Sequence, residues 1–197
     1  GGLGHANVLA SMIFAGMSGA AIADAGGLGT IEIKAMQDEG FDTPFSAGIT
    51  AASSTIGPII PPSIPMVIYA FVANVSVGKL FLAGAVPGIL MGVALMIMVY
   101  IMAKKRKYPV HARFDLKEAT ISFIDGFLPL MTPAIILGGI LFGIFSPTEA
   151  AIIASTYALI LGLFVYKEIK LRDLFGIIIE TVKTTSMVVY IIAAAAI

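Results

Sequence analysis

The chain has 197 residues, 58% of them hydrophobic and 12% charged, with a mean hydropathy of +1.00. That is more apolar surface than a water-soluble domain of this length can bury, and it points to a protein whose partner is the lipid bilayer. Twelve basic and twelve acidic residues cancel and give no ground for a nucleic-acid partner, while the absence of cysteine excludes disulfides, thiolate metal sites and cysteine nucleophiles.

Apolar segments fall at 8–31, 46–72, 80–103, 127–145 and 147–166, with a sixth starting near 185. A helix rising 1.5 Å per residue needs about 20 residues to cross a hydrocarbon core, so the expected fold is an all-α polytopic membrane protein. No basic n-region precedes an apolar core at the start, so no cleavable signal peptide is expected, and the short apolar run "MVVYIIAAAAI" at the end reads as part of a fragment.

The first segment, "ANVLASMIFAGMSGAAIADAGGLGTIEI", carries Gly16, Ser18 and Gly19 at its centre and Asp24 behind them. Asp24 would cost about 2.5–3.5 kcal/mol at a lipid-exposed helix centre, so it is expected to face protein or water. Two readings stay open from the residues: a simple span using small residues for close packing, or a re-entrant hairpin with limbs near 5–16 and 20–35. His5, in "GLGHAN", reads as hydrogen-bonding neighbouring backbone rather than as a functional group.

The second segment contains "ASSTIGPIIPPSIPM", with Pro58, Pro61, Pro62 and Pro65 inside eight positions. A proline in a helix interior costs about 3 kcal/mol, so four would cost on the order of 10 kcal/mol in a continuous span. The helix is expected to break. Each proline withholds a donor from the carbonyl four residues earlier, at Ser54, Gly57, Pro58 and Pro61, and Ser53, Ser54 and Thr55 add hydroxyl oxygens. In a bilayer such oxygens need a protein contact, a cavity or an ion, and neutral oxygens of this kind match a hard monovalent cation such as Na⁺. A proline kink sealed by hydroxyls is the plainer alternative.

After 80–103 comes the basic run Lys104 to Lys107, with Arg113 and Lys117, and after 147–166 come Lys167, Lys170, Arg172 and Lys183. The positive-inside rule puts both loops, and "KAMQDEGFD" at 34–42, in the cytoplasm, with 73–79 and 146–149 on the other side. Leu116, Thr120, Phe123 and Phe127 share one helical face, as do Leu171, Phe175, Ile178 and Val182, so both stretches are expected to lie in the cytoplasmic interface, with the frayed end of a longer span as the plainer alternative. Ser146, Pro147 and Glu149 have the spacing of a capping box opening the helix that follows. His5 and Asp24 form no nucleophile–base constellation, so catalysis has no support and the protein is not expected to be an enzyme. A single asymmetric break also fits a channel filter poorly.

"GGLGHANVLASMIFAGMSGAAIADAGGLG", "ITAASSTIGPIIPPSIPMVIY" and "FSPTEAAIIASTYAL", in this order, resemble the large membrane subunit of tripartite ATP-independent periplasmic (TRAP) transporters, the DctM-like family. The resemblance implies an elevator-type transporter fragment with a re-entrant hairpin and a broken helix. It implies Na⁺ as coupling ion, a multi-pass location in the bacterial inner membrane and an organic-acid substrate such as a C4-dicarboxylate or sialic acid. A periplasmic solute-binding protein and a small four-helix membrane subunit are the implied partners. Carried onto this chain, 1–78 holds the hairpin and broken helix of a first repeat, 79–126 a spanning helix and cytoplasmic arm, and 127–197 the start of a second repeat. One Na⁺ is expected between Ser18 and Gly19 on the hairpin tip and Ser53, Ser54, Thr55 and Gly57 at the break. Asp24, Pro61, Pro62 and Ser63 are the candidates for the substrate region.

Overall fold

A computed structural model describes residues 2–108 and 116–195, without the side chains of 116–119, 191 and 195. Among the described residues the chain is helical throughout: α1 (Gly2–Ser18), α2 (Ala21–Gly26), α3 (Leu28–Asp38), α4 (Thr43–Ser54), α5 (Ile64–Ala73), α6 (Val77–Arg106), α7 (Leu116–Leu141), α8 (Pro147–Ile160) and α9 (Asp173–Ala195). A π-helical turn, Leu161–Val165, continues α8. The chain divides into two compact units, Gly1–Ala154 and Ser155–Ile197. Among the described residues four helical stretches are long and apolar enough to cross a membrane: Val77–Arg106, Thr120–Leu141, Pro147–Val165 and Asp173–Ala194.

The first apolar segment is not a single span. α1 stops at Ser18, Gly19 turns with φ +60°, and α2 starts at Ala21. That left-handed angle is open to glycine and strained for other residues, so Gly19 is the point at which reversal is cheapest. Asn7, early in α1, reaches the sulfur of Met36, late in α3, so the two limbs run antiparallel as a hairpin. A second interruption at Gly27 separates α2 from α3, which the sequence reading did not anticipate. α4 then runs parallel to α1: a Cβ on Gly4 would lie near the Phe45 ring, Asn7 bonds Thr50, and Ser11 bonds Ser53.

The second apolar segment breaks where the prolines demand it. α4 ends at Ser54, residues 55–63 run through turns with a cis peptide between Pro61 and Pro62, and α5 resumes at Ile64. Ser63 caps α5 by accepting from the Met66 N–H at 3.3 Å, and its hydroxyl donates to the Pro58 carbonyl at 2.5 Å, tying the two sides of the break together.

α6 supports this unit along a glycine seam. Added Cβ atoms at Gly84, Gly88 and Gly92 would run into the Ile59 carbonyl oxygen at 2.6 Å, the Ile60 side chain and the Met12 sulfur. Each glycine therefore lets the break or α1 lie directly against the α6 backbone. At the other end of α6 a core of Val8, Met36, Phe41, Phe45, Ile49, Val99 and Tyr108 closes over the hairpin base. Arg106 pairs there with Asp42 at 2.6 Å and also donates to the Tyr108 hydroxyl at 3.2 Å.

The two expected interfacial helices are not separate elements. α7 continues unbroken from Leu116 to Leu141 and α9 from Asp173 to Ala195, so the amphipathic stretches are the first turns of longer helices. Phe123 and Phe127, four residues apart, bring their ring centroids to 6.1 Å along α7, which continues through Pro129 and Pro133. Arg113 and the side chain of Lys117, from the first basic loop, lie outside the described residues. The capping box at α8 is present: Ser146 N–H and Oγ donate to Glu149 Oε2 at 2.8 and 2.7 Å, and Glu149 N–H donates to Ser146 Oγ at 3.3 Å.

Candidate functional site

The hairpin tip and the helix break meet backbone to backbone. A Cβ on Gly19 would stand 2.9 Å from the Pro62 carbonyl oxygen and 3.2 Å from the Ile64 nitrogen. On the opposite side, a Cβ on Gly57 would stand 3.3 Å from the Ala20 carbonyl carbon and 3.4 Å from the Ala21 nitrogen. Two glycines thus remove the side chains that would hold α1–α2 and α4–α5 apart. Gly16 adds a third close approach, with a would-be Cβ 3.9 Å from the Pro61 carbonyl oxygen and 3.3 Å from Pro133 of α7.

Beside this contact lies a set of buried polar groups with unequal fates. Ser18 Oγ and both carboxylate oxygens of Asp24 are buried and make no hydrogen bond among the described residues; Asp24 is fully enclosed. The Asp24 carboxyl sits beside the Ser11 and Ser54 hydroxyls. Those hydroxyls spend their protons elsewhere, Ser11 on Ser53 Oγ at 2.9 Å and Ser54 on the Thr50 carbonyl at 2.8 Å. The carboxyl and the two hydroxyls thus bring several oxygens together in one buried place. The Glu32 carboxylate oxygens are also buried without partners, within electrostatic reach of Asp24. Unpaired buried polar atoms are rare in native proteins, so this cluster sets the place apart from the rest of the unit.

The remaining sequence candidates are distributed around this point. Ser53 is buried but turned toward α1, where it accepts from Ser11 and donates to Asn7 Oδ1 at 3.0 Å. Thr55 is exposed and its hydroxyl donates to the Ala52 carbonyl at 2.7 Å. Of the carbonyls left by the prolines, that of Ser54 accepts the Gly57 N–H at 3.1 Å and that of Pro58 accepts Ser63, so neither remains open as expected. Those of Gly57 and Pro61 would look to positions 61 and 65, both prolines without an N–H. Pro62 faces Gly19 through its carbonyl, and Ser63 serves the break as a cap.

Sequence reasoning passed over Asn7, Ser11, Thr50 and Glu32. The signal was available as a helical stripe: Asn7, Ser11 and Ser18 fall at spacings of four and seven along α1, and Thr50 lies three and four residues before Ser53 and Ser54. Among the described residues no group of three or more His, Cys, Asp or Glu side chains gathers to hold a metal. The donor set around the tip is one carboxylate with hydroxyl and carbonyl oxygens, which suits an alkali cation rather than a transition metal.

Comparison with known proteins adds an independent finding. The family described as "Tripartite ATP-independent periplasmic transporter, DctM component" matches residues 1–197. The chain is 52% identical over 192 residues to the sialic acid TRAP transporter permease protein SiaT of Haemophilus influenzae, covering 98% of this chain and 31% of that protein. It is 52% identical over 188 residues to the sialic acid TRAP transporter large permease protein SiaM of Vibrio cholerae, covering 95% and 44%. To the C4-dicarboxylate TRAP transporter large permease protein DctM of Pseudomonas aeruginosa it is 44% identical over 195 residues, covering 99% and 46%. The chain thus spans less than half the length of these relatives.

Proposed function

This chain belongs to the DctM component family of tripartite ATP-independent periplasmic transporters, and we propose that it supplies the hairpin and broken helix of the large permease subunit of a sodium-coupled organic-acid importer in the bacterial inner membrane. The observation that carries the reading is the contact of the Gly19 tip with the Pro62–Ile64 backbone beside the unpaired Ser18 hydroxyl and Asp24 carboxylate. A Na⁺ held by Asp24, Ser11, Ser54 and the tip would neutralise the buried carboxylate and draw the hairpin onto the break. Na⁺ binding would then favour the closed tip. Substrate binding to the closed form would tighten Na⁺ binding by the same factor that Na⁺ tightens substrate binding.

In this reading the closed tip and break carry the substrate as one body past a scaffold formed with the rest of the permease and a small four-helix membrane subunit. A periplasmic solute-binding protein delivers the substrate. The relatives named for sialic acid share more identity with this chain than the one named for C4-dicarboxylate, so sialic acid is the first substrate to test. The test is uptake by the full-length permease with its small subunit in proteoliposomes. Accumulation of labelled sialic acid that needs both an inward Na⁺ gradient and an added binding protein supports the proposal. Uptake indifferent to Na⁺ but driven by a pH gradient would instead make Asp24 and Glu32 the carriers of a coupling proton.

A further inference from the structure

α6 carries two faces of opposite character. Gly84, Gly88 and Gly92 lie on the side that meets α1 and the helix break. On the far side Leu82, Val86, Leu90, Val93, Ile97 and Tyr100 follow one another at intervals of three or four residues, the spacing that keeps side chains on one helical face. Each is 42–63% exposed, so the described residues leave this face open. At 1.5 Å per residue the stripe from Leu82 to Tyr100 spans about 27 Å, close to a hydrocarbon core of about 30 Å. The pattern runs into a lysine at either end, Lys79 three residues before Leu82 and Lys104 four residues after Tyr100. Lysines so placed reach the two headgroup layers while their stems stay on the apolar face. Helix partners in a membrane are received by small residues, as on the glycine side of α6; the outward stripe offers large ones, which match acyl chains instead.

The cytoplasmic end of the stripe is the more polar. Lys104 Nζ lies 5.8 Å from the centroid of the Tyr100 ring. Arg106 turns inward, paired with Asp42 and lying over the Phe45 ring. Lys104 and Lys105 remain exposed, and among the described residues neither pairs with a carboxylate. Two ammonium groups and a phenol hydroxyl thus stand together where the apolar stripe ends.

We propose that the outward face of α6 lies against bilayer lipid and that Lys104, with Lys105 and Tyr100, binds the headgroup of an anionic phospholipid in the cytoplasmic leaflet. The lipid phosphate accepts from the ammonium groups and from the tyrosine hydroxyl, and the acyl chains run along Ile97, Val93 and Leu90. A phosphatidylcholine headgroup brings a cation of its own to the lysines, whereas phosphatidylglycerol brings net negative charge, so the site selects by charge.

The test has two arms, both on the full-length permease assembled with its small subunit. Spin labels on single cysteines at Val86 and Ile97, in a cysteine-free background and in vesicles of phosphatidylcholine and phosphatidylglycerol, report what covers the face. High access to dissolved oxygen and low access to a water-soluble nickel chelate are expected. Protection from both reagents would mean that another protein segment lies on the stripe, and free access to the chelate that water does; either result would overturn the proposal. The headgroup is tested by native mass spectrometry in mild detergent, titrating phosphatidylglycerol, phosphatidylcholine or inorganic phosphate. Phosphatidylglycerol is expected to bind more tightly than phosphatidylcholine. Lys104→Gln is expected to weaken its binding about fivefold, the contribution of one basic residue at an anionic surface. Lys104→Arg keeps the charge and is expected to retain binding, and Lys34→Gln, an equal loss of charge at an exposed position of α3, to leave it unchanged. Equal binding of the two lipids, no change with Lys104→Gln, an equal loss with Lys34→Gln, or displacement of the lipid by inorganic phosphate at the same concentration would overturn the headgroup site.

Discussion

Replacing Gly19 by alanine tests the tip–break contact with a single methyl group. The perturbation acts twice. An alanine at φ +60° costs about 1–2 kcal/mol through crowding of Cβ against the following carbonyl. The same Cβ would lie 2.9 Å from the Pro62 oxygen and 3.2 Å from the Ile64 nitrogen, both backbone atoms held by the Ser63 cap and so unable to swing aside as a side chain would. Overpacking of this kind adds about 1–3 kcal/mol. The two together, about 2–5 kcal/mol, reduce the population of the closed contact at least about thirtyfold. The assay is Na⁺-dependent uptake by the full-length permease, with surface labelling to confirm insertion. Uptake is expected to fall by at least an order of magnitude, whereas Gly48→Ala in α4, where a Cβ meets nothing within 4 Å, leaves it unchanged. Wild-type rate and sodium dependence in a correctly inserted Gly19→Ala would refute the role given to the contact.

Ser63→Ala removes both the α5 cap and the bond to the Pro58 carbonyl; it is expected to cost about 1–3 kcal/mol and to lower the thermal midpoint of the purified permease. In the α6 seam, Gly84→Ala meets the Ile59 carbonyl and is expected to impair folding more than Gly92→Ala, which meets the flexible end of Met12; the yield of folded protein in detergent ranks them. Glu149→Ala opens the capping box and, as an exposed change, is expected to cost no more than about 1 kcal/mol in the same thermal assay. Single cysteines at Lys107 and Ser146 in a cysteine-free background are expected to label from the cytoplasmic and periplasmic sides respectively, and the reverse pattern would invert the orientation.

The elements written in backbone chemistry were legible in the sequence. Four prolines forbid a continuous helix between Ser54 and Ile64, and the glycine at position 19 is where reversal is least strained. The capping box at Ser146 could be read from spacing because its partners are three residues apart. The interruption at Gly27 was hidden because glycines at 26, 27 and 29 offer several equivalent places for it. The break's carbonyls were misjudged for a related reason: proline spacing tells which donors are lost, and only the turn geometry tells that Gly57 and Ser63 replace two of them. The buried chain from Asn7 to Thr50 escaped notice because each member is unremarkable alone. One of them, Asn7, also meets Met36, which arrives from the opposite limb of the hairpin.

The central claim, that the hairpin tip closes on the helix break around a sodium ion, is tested most directly by thiol protection at the tip. Ala20→Cys in a cysteine-free full-length permease places a thiol beside Gly57, where a Cβ would lie within 3.3 Å of Ala20. Its rate of reaction with a small hydrophilic maleimide is measured in Na⁺ and in K⁺ at equal ionic strength. The account predicts slower labelling in Na⁺, with the protection lost in Asp24→Asn; the same rate in both cations, in a permease that transports, would contradict it.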